Sequence, residues 1–250
     1  MDAGEKNVPL HQQVKEKLYE LINKKKPGDQ IPTERDLCRT FNLSRTTVRQ
    51  AIQEAVNEGM LHRVQGKGTF IAKPKIRQEL FRISTFKETI TARGMVPRIK
   101  ILEERHLPAN LQTARLLNVS ASEEIVSLSM IGYADEEPIV LYYCYLPAKI
   151  GRPTVDEARK RERAGEAFST FELYRDRCSV LSHVTNQTFE ATLADDGVAS
   201  LLRIKKGDPV FRVTSIIFDH DDQPVEFKQA FYRGDKFNFN ISRLHPESGD

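Results

Sequence analysis

The sequence contains no tryptophan and only three cysteines. Because Cys38, Cys144 and Cys178 lie far apart and form no CxxC or cysteine–histidine cluster, neither a disulfide framework nor a zinc site is expected. A transmembrane helix needs about 18 or more consecutive apolar residues, and no such run occurs. The first residues also lack the apolar core of a secretory signal. We therefore expect a cytoplasmic protein that does not contact a membrane.

Net charge is also small, because 38 basic and 35 acidic residues among 250 leave a formal charge of +3. The two signs are unevenly distributed along the chain. Residues 1–75 hold 14 Lys and Arg against 9 Asp and Glu, whereas the rest of the chain holds 24 against 26. This split indicates a nucleic-acid-binding module joined to a second, slightly acidic module. An excess of this size on its own is more typical of a solvated basic face.

The basic third of the chain has the pattern of a helix-turn-helix. Apolar residues recur at helical spacing from Leu10 to Ile22 and predict a first helix. A second helix is predicted to start after the capping residue Thr33 and to end at Phe41. Ser44 is a favourable cap for a third helix, so only a short turn separates the second from the third.

The third predicted helix, from Arg45 to about Glu58, has two unlike faces. Its apolar residues share one face, which must pack inside. The opposite face has no carboxylate before Glu54 and offers arginine, hydroxyl and amide groups, which suit phosphate oxygens and base edges. A surface helix that merely has few acidic residues is the alternative. The candidate DNA contacts here are Ser44, Arg45, Thr46, Thr47, Arg49 and Gln50.

The segment that follows, residues 61–71, has the pattern of a β-hairpin with a glycine-rich tip. Gly66 and Gly68 remove side-chain bulk from this tip, so its backbone and Lys67 can approach a DNA groove. We include Gln65, Gly66 and Lys67 among the candidate contacts. A nucleotide-phosphate loop is rejected because the segment lacks the G-x-x-x-x-G-K-[ST] pattern and a following helix.

These segments resemble the winged-helix domain of GntR-family bacterial transcription regulators. The motifs that carry the resemblance are Pro32-Thr33-Glu34-Arg35-Asp36-Leu37, Ser44–Ile52, Glu58-Gly59-Met60-Leu61 and Gln65–Ile71. The resemblance implies that six residues occupy DNA-contacting positions of the family: Arg35, Arg45, Thr46, Thr47, Arg49 and Gly66.

The remaining two thirds of the chain contain an internal repeat. Ala114–Val119 is echoed 85 residues later by Ala199–Ile204, and each copy continues into an apolar strand, an acidic turn and a return strand. Two such helix-plus-hairpin units can join into one antiparallel sheet of four or more strands with helices on a face, which is an α+β domain. The crease between the halves is a natural pocket.

This region resembles the UTRA effector domain, and the chain as a whole is identified as a member of the HutC subfamily of GntR regulators. The motifs are Arg93-Gly94-x-x-Pro97, Tyr133–Ile139, Tyr145-Leu146-Pro147, Pro224–Phe227 and Phe231–Phe237. The fold class expected is α+β, with an N-terminal winged helix-turn-helix joined to an antiparallel-sheet UTRA domain of chorismate-lyase-like fold. We expect a DNA-binding domain at 1–73, a linker at 74–80 and an effector-binding and dimerisation domain at 81–250.

The resemblance implies a sequence-specific transcription regulator, most often a repressor, that is not an enzyme and uses no cofactor or metal. Its expected partners are double-stranded DNA with a palindromic operator, a second copy of the chain, and a small-molecule effector that is anionic or sugar-related. Its expected location is the cytoplasm, at the bacterial nucleoid when bound to DNA.

The resemblance also implies where the effector binds. The candidate contacts are Phe86, Lys87, Met130, Gly132, Tyr142, Cys144, Glu226 and Tyr232. Many sugar-phosphate-responsive relatives carry arginines where Met130 and Gly132 stand here, so the bidentate grip on a phosphate is lost and the commonest amino-sugar phosphates are not expected as effectors. An anionic effector is still compatible with the sequence, because a helix N-terminus attracts anions and Lys87 adds positive charge.

Less specific roles stay open for several of these residues. Met130, Tyr142 and Cys144 can be core residues, and Glu226 can face water. Two alternative functions also remain: an architectural DNA binder whose second domain only dimerises, and a chorismate-lyase-like enzyme, since a fold does not fix function. No motif ties Cys144, Glu190 and Glu226 together as acid, base and nucleophile, which disfavours the enzyme.

Overall fold

The structure, a computed structural model, describes residues 10–72, 75–80 and 84–242. The chain divides into two compact units, Met1–Pro74 and Lys75–Asp250. The predicted limits of the first domain and of the effector domain fall at residues 73–74 and 81, which lie outside the described ranges, so the predicted boundaries stay predictions. None of the described helices is both long and apolar enough to span a bilayer.

The described part of the first unit consists of three helices and one hairpin. Thr33 caps the second helix by accepting a hydrogen bond from the Asp36 N–H, and Ser44 caps the third in the same way from Thr47. Both predicted caps are therefore confirmed, as is the hairpin. The elements are α1 (Leu10–Asn23), α2 (Glu34–Phe41), α3 (Arg45–Asn57), β1 (Leu61–Val64) and β2 (Gly68–Ile71).

The apolar sides of these helices and of the hairpin meet in one small core. The predicted inner face of α3 is buried there, with Val48, Ala51 and Ile52 each 1% exposed. Two residues of α1, Lys15 and Tyr19, both donate hydrogen bonds to the Glu58 carboxylate. These contacts tie α1 to the end of α3. The polar side of α3 therefore has a fixed support behind it.

The second unit is built around one antiparallel sheet of six strands, in the order β4-β5-β6-β9-β8-β7. Its elements are β3 (Ile76–Glu79), α4 (Phe86–Thr91), β4 (Pro97–Pro108), α5 (Leu111–Leu117), β5 (Glu124–Ala134), β6 (Glu137–Pro147), α6 (Ala148–Arg163), α7 (Thr170–Cys178), β7 (Val184–Leu193), α8 (Asp196–Leu202), β8 (Pro209–Phe218), β9 (Pro224–Arg233) and β10 (Phe237–Asn240). The α+β class and the predicted antiparallel sheet are confirmed.

The internal repeat appears as two copies of a helix followed by a hairpin, α5-β5-β6 and α8-β8-β9. The two copies join through β6 and β9, whose register places Tyr142 opposite Ala230 and Cys144 opposite Lys228. Leu117 of α5 shares a buried cluster with Phe227 of β9. The helix α8 packs in turn on β6 of the first copy. Each helix thus packs against a strand of the other copy.

The opposite face of the sheet is covered by α4, α6 and α7, so helices lie on both faces rather than on one. No helix was predicted from the sequence for residues 148–178. One reason is that Gly151 and Pro153, both poor helix formers, lie within α6. Gly151 is needed there, because a Cβ at this position would lie 2.5 Å from the Val126 Cβ.

The predicted linker contains a strand. Residues 76–79 form β3, which pairs in parallel with β10, so that Ile76 lies opposite Phe237. The Lys75 ammonium adds a hydrogen bond of 2.6 Å to the Gly234 carbonyl. This part of the predicted linker is therefore an ordered element of the second unit.

Candidate functional site

The polar side of α3 lies in solvent, as its sequence predicts. Its apolar side packs against α1, α2 and the hairpin in the small core. Arginine, hydroxyl and amide groups in water at the start of a supported helix are available to phosphate oxygens and base edges. The exposed residues of this side are Arg45, Thr46, Arg49, Gln50 and Gln53, and Thr47 is half-buried.

Arg49 is held by a carboxylate that the sequence analysis did not consider. Its Nε and Nη2 donate to Glu34 Oε2 at 3.2 and 3.1 Å. Arg63, on the first strand of the hairpin, forms an ion pair of 3.5 Å with the other oxygen and donates to Gln53 at 3.0 Å. Glu34 thus links α2, α3 and the hairpin. Exposed ion pairs contribute only about 0–1 kcal/mol, so Arg49 can exchange this carboxylate for a phosphate at little cost.

The remaining candidate contacts of α2 and α3 have different surroundings. Arg35 is exposed in the first turn of α2. The Ser44 hydroxyl already accepts the Thr47 N–H at 3.2 Å and lies 2.8 Å from the Thr47 hydroxyl. Ser44 therefore has a structural role as the cap, and its part in DNA binding stays a prediction, as it does for the other candidates.

The tip of the hairpin places Gln65, Gly66 and Lys67 in solvent. The Gln30 side chain donates a hydrogen bond of 2.8 Å to the Lys67 carbonyl. Gly68 has a φ of +122°, and a Cβ there would collide with the Gln30 side chain. The Gln30 side chain therefore holds the tip in place. Gln30 lies outside the hairpin, so the hairpin pattern in the sequence does not identify it.

The second site is a cavity in the second unit, over the joint between β6 and β9 that was predicted from the repeat. The space between its lining atoms is about 930 Å³ when the open solvent at its mouth is included. Aromatic residues form much of its lining: Phe86, Tyr142, Phe168, Phe171, Tyr232 and Phe237. Burial, with the neighbouring Tyr232, raises the pKa of the Tyr142 phenol, which therefore stays neutral.

The structure brings four of the eight predicted effector contacts together on this lining: Phe86, Met130, Tyr142 and Tyr232. Two others lie apart from it. Lys87 is exposed on the helix that Phe86 begins. Gly132 lies behind the Phe86 ring, and a Cβ there would come within 2.9 Å of the Phe86 Cζ. The absence of a side chain at Gly132 thus makes room for Phe86.

The last two, Cys144 and Glu226, are each 0% exposed and belong to a buried polar cluster. Both oxygens of Glu226 accept from the Thr170 hydroxyl, at 2.7 and 2.9 Å. The alternative that Glu226 faces water is therefore wrong. Burial, together with the charge of Glu226, raises the pKa of the Cys144 thiol, which stays protonated and unreactive.

Among the described lining residues that were not predicted from the sequence, Lys228 is the charged one. Its side chain is 20% exposed, and its Nζ lies 3.7 Å from Glu226 Oε2. Burial lowers its pKa, but Glu226, Cys144 and Tyr232 together outweigh burial and raise the pKa, so the ammonium stays charged. Side chains alternate along a strand, so residues 226, 228, 230 and 232 of β9 lie on one side of the sheet. Because Glu226 and Tyr232 were predicted contacts, this alternation could have identified Lys228.

Within the described ranges, no group of three or more His, Cys, Asp or Glu side chains is arranged to hold a metal ion.

A winged helix-turn-helix together with a domain that contains a cavity lined by aromatic residues is typical of a transcription regulator with its own sensor domain. The model of the bacterial regulatory proteins of the gntR family matches residues 10–71, and that of the UTRA domain matches residues 92–238. The chain therefore belongs to the GntR family and is of the HutC type, with a UTRA domain. Proteins of this family are DNA-binding transcription regulators and not enzymes, and their UTRA domains bind small-molecule effectors.

Known proteins that resemble the chain over most of its length carry matching descriptions. The probable fructoselysine utilization operon transcriptional repressor of Escherichia coli (strain K12) is 31% identical over 214 residues, 86% of this chain and 85% of that protein. The transcriptional repressor NagR of Bacillus subtilis (strain 168) is 27% identical and covers 93% of each chain. The crystal structure of PhnF from Mycobacterium smegmatis has a TM-score of 0.66 at 28% identity, over 94% of this chain and 100% of that one.

Proposed function

We propose that this protein is a homodimeric repressor that binds a palindromic operator through α3 and the hairpin tip. The observation that carries the proposal is the solvated polar side of α3, which has arginine, hydroxyl and amide groups and a buried apolar side behind it. The proposed contacts are the ten candidates of the first unit: Arg35, Ser44, Arg45, Thr46, Thr47, Arg49, Gln50, Gln65, Gly66 and Lys67.

Two copies are required because one winged helix covers only a short stretch of DNA. A dimer reads two half-sites about one helical turn apart or less, and the symmetry of the dimer makes the operator palindromic. The repressors among the related proteins support the direction of regulation. The protein acts at the nucleoid, in the cytoplasm.

An effector in the cavity changes the affinity for the operator. It does so only to the extent that it binds the two arrangements of the dimer differently, and such coupling free energies are typically about 1–3 kcal/mol. The proposed effector contacts are Phe86, Met130, Tyr142 and Tyr232, which line the cavity.

Selection of duplexes from a random DNA pool by the full-length protein, followed by footprinting, tests this proposal. We expect enrichment of an inverted repeat that is protected at a stoichiometry of two chains per duplex. Enrichment of no sequence, or binding of a single chain, would overturn it. If compounds that bind the cavity never change operator affinity, the architectural binder is the better description.

A further inference from the structure

Lys228 is the one charged residue among the described residues that line the cavity. It lies on β9, two residues before Ala230 and four before Tyr232, so all three are on the same side of the sheet. Its side chain is 20% exposed, so the ammonium is largely desolvated but can be reached from the cavity. A desolvated charge at the wall of a binding cavity attracts a ligand group of opposite charge more strongly than a charge in water does.

The ammonium has hydrogen-bond donors to spare. Its nearest carboxylate oxygen, on Glu226, is 3.7 Å away, which is longer than an ordinary N–H···O hydrogen bond. The Glu226 carboxylate itself is completely buried and accepts the Thr170 hydroxyl with both oxygens. A ligand therefore meets the ammonium, with three N–H donors, and not the carboxylate behind it.

A second donor lies beside Lys228. Ser215 of β8 is directly opposite Lys228 in the sheet and also lines the cavity. The Ser215 hydroxyl accepts a hydrogen bond of 3.0 Å from the Gln187 amide, so its own proton is free to be donated. Directly opposite residues of paired strands have Cβ atoms about 4.5–5.5 Å apart, so the two side chains start from neighbouring points on the cavity side of the sheet.

We propose that the effector is a small organic carboxylate whose two oxygens are bound by Lys228 and Ser215. This proposal rests on the proposed function and names the chemical class that the cavity recognises. Lys228 and Glu226 are neutral as a pair, so a bound carboxylate adds one negative charge to the cavity wall, next to the ammonium. A phosphate carries up to two, and Met130 and Gly132 supply no second cation, so part of its charge would be buried without compensation.

The aromatic part of the lining indicates the chemistry of the rest of the ligand. Phe86 and Tyr142 meet edge to face with ring centroids 6.5 Å apart, and Tyr142 and Tyr232 do so at 6.2 Å. These rings form an apolar wall next to the two donors. The effector is therefore a compound with an acid group at one end and an apolar or aromatic skeleton against the rings.

The test compares acids with their amides on the full-length protein. The probes are phenylacetate and phenylacetamide, hexanoate and hexanamide, gluconate and gluconamide, and glucosamine 6-phosphate, each at 10 mM in a thermal-shift assay followed by titration calorimetry. We expect at least one acid to raise the Tm while its amide, which has the same shape and no charge, does not. Stabilisation by the phosphate or by an amide, without an acid, overturns the proposal, as does the failure of all three acids.

Variants then locate the binding of that acid. Lys228→Met leaves Glu226 buried without its counter-charge and can fail to fold, so the informative variant is Glu226→Gln combined with Lys228→Gln, which removes both charges together. We expect this variant and Ser215→Ala to weaken the acid, the first by roughly tenfold or more, as the loss of a charge-assisted hydrogen bond predicts. The control is Lys206→Gln, which removes a lysine that pairs on the surface with Asp196. Unchanged affinity in the double variant contradicts the proposal.

The two levels of the proposal fail in different ways. If glucosamine 6-phosphate or an amide binds and releases the selected operator, the chain is an effector-controlled repressor and only the carboxylate assignment is wrong. If an acid binds through Lys228 but operator affinity does not change, the cavity has the proposed specificity and the proposed regulation is wrong.

Discussion

The surface proposed to bind DNA and the cavity proposed to bind the effector are assembled in different ways. The first comes from the start of α2, from α3 with its cap and from the adjacent hairpin, which follow one another along the chain. The second takes its lining from two helices, α4 and α7, and from all the strands β3 to β10, most of which supply one or two residues. A site of the first kind depends on local pattern and on a small core behind it. A site of the second kind depends on strand register and on how helices pack against the sheet.

Removing part of the support behind the DNA-binding surface should give the largest effect. Ile52→Ala deletes most of a side chain that is 1% exposed, and large-to-small core substitutions cost about 2–5 kcal/mol. We expect the transition of the first unit in calorimetry to move to lower temperature and that of the second unit to stay in place. Glu16→Ala, an exposed change on α1, is the control. A shift of both transitions would show that the two units unfold together.

Altering the surface itself should affect binding and not stability. Arg49→Ala is expected to weaken operator binding by about 1–3 kcal/mol if Arg49 reads a base, with relaxed specificity at that position, and to reduce the salt dependence if it contacts phosphate. Fluorescence anisotropy at several salt concentrations measures both. The matched control is Arg212→Ala, which removes an exposed arginine of the second unit that pairs with Glu190. Wild-type binding by the Arg49 variant would contradict the assignment of α3.

The Glu34 contacts place one acidic group within the basic surface. Glu34→Gln removes the ion pairs with Arg49 and Arg63 and also a charge that repels phosphate. Stability should change by less than about 1 kcal/mol, as for exposed ion pairs. Operator affinity should rise, most strongly at low salt. A fall in affinity would mean that Glu34 is needed to hold Arg49 in its binding position.

The smallest expected effect lies outside both sites. Hydrogen bonds to Glu124 and Glu104, at 2.9 and 3.1 Å, raise the pKa of His106 above its usual value. The protonated form is favoured in the folded state, so the contribution to stability is complete below the unfolded pKa of about 6.5 and is lost as the pH rises through the raised folded value. The Tm difference between wild type and His106→Gln should therefore be larger at pH 5.5 than at pH 8.5. Equal differences would show that His106 does not titrate in this way.

The difference in assembly also explains what the sequence can predict. The caps Thr33 and Ser44, the inner face of α3 and the hairpin follow from neighbours along the chain, and the structure confirms them. The internal repeat predicts the antiparallel sheet and the place of the cavity. These features can be predicted from residues that are close in sequence or from the similarity of the two repeat copies.

Features that depend on distant partners were not predicted. Glu226 is buried because Thr170, 56 residues away, approaches it from α7, and α7 belongs to the stretch for which no helix was predicted. Lys228 on a strand that also carries Glu226, Gln229 and Arg233 is ordinary in a sequence. It becomes a cavity residue only through the register of β9 with β6 and β8. Glu34 approaches Arg49 only when α2 and α3 pack together. Such proximities are set by tertiary packing.

The exchange of helices between the two repeat copies has a consequence for how this domain holds together. Because α5 rests on the hairpin of the later copy and α8 on that of the earlier one, neither half possesses a complete hydrophobic interior. In a chain with only one copy, the apolar side of the helix would lack the strand of the other copy that covers it. We therefore expect the two halves of the domain to fold as one cooperative unit.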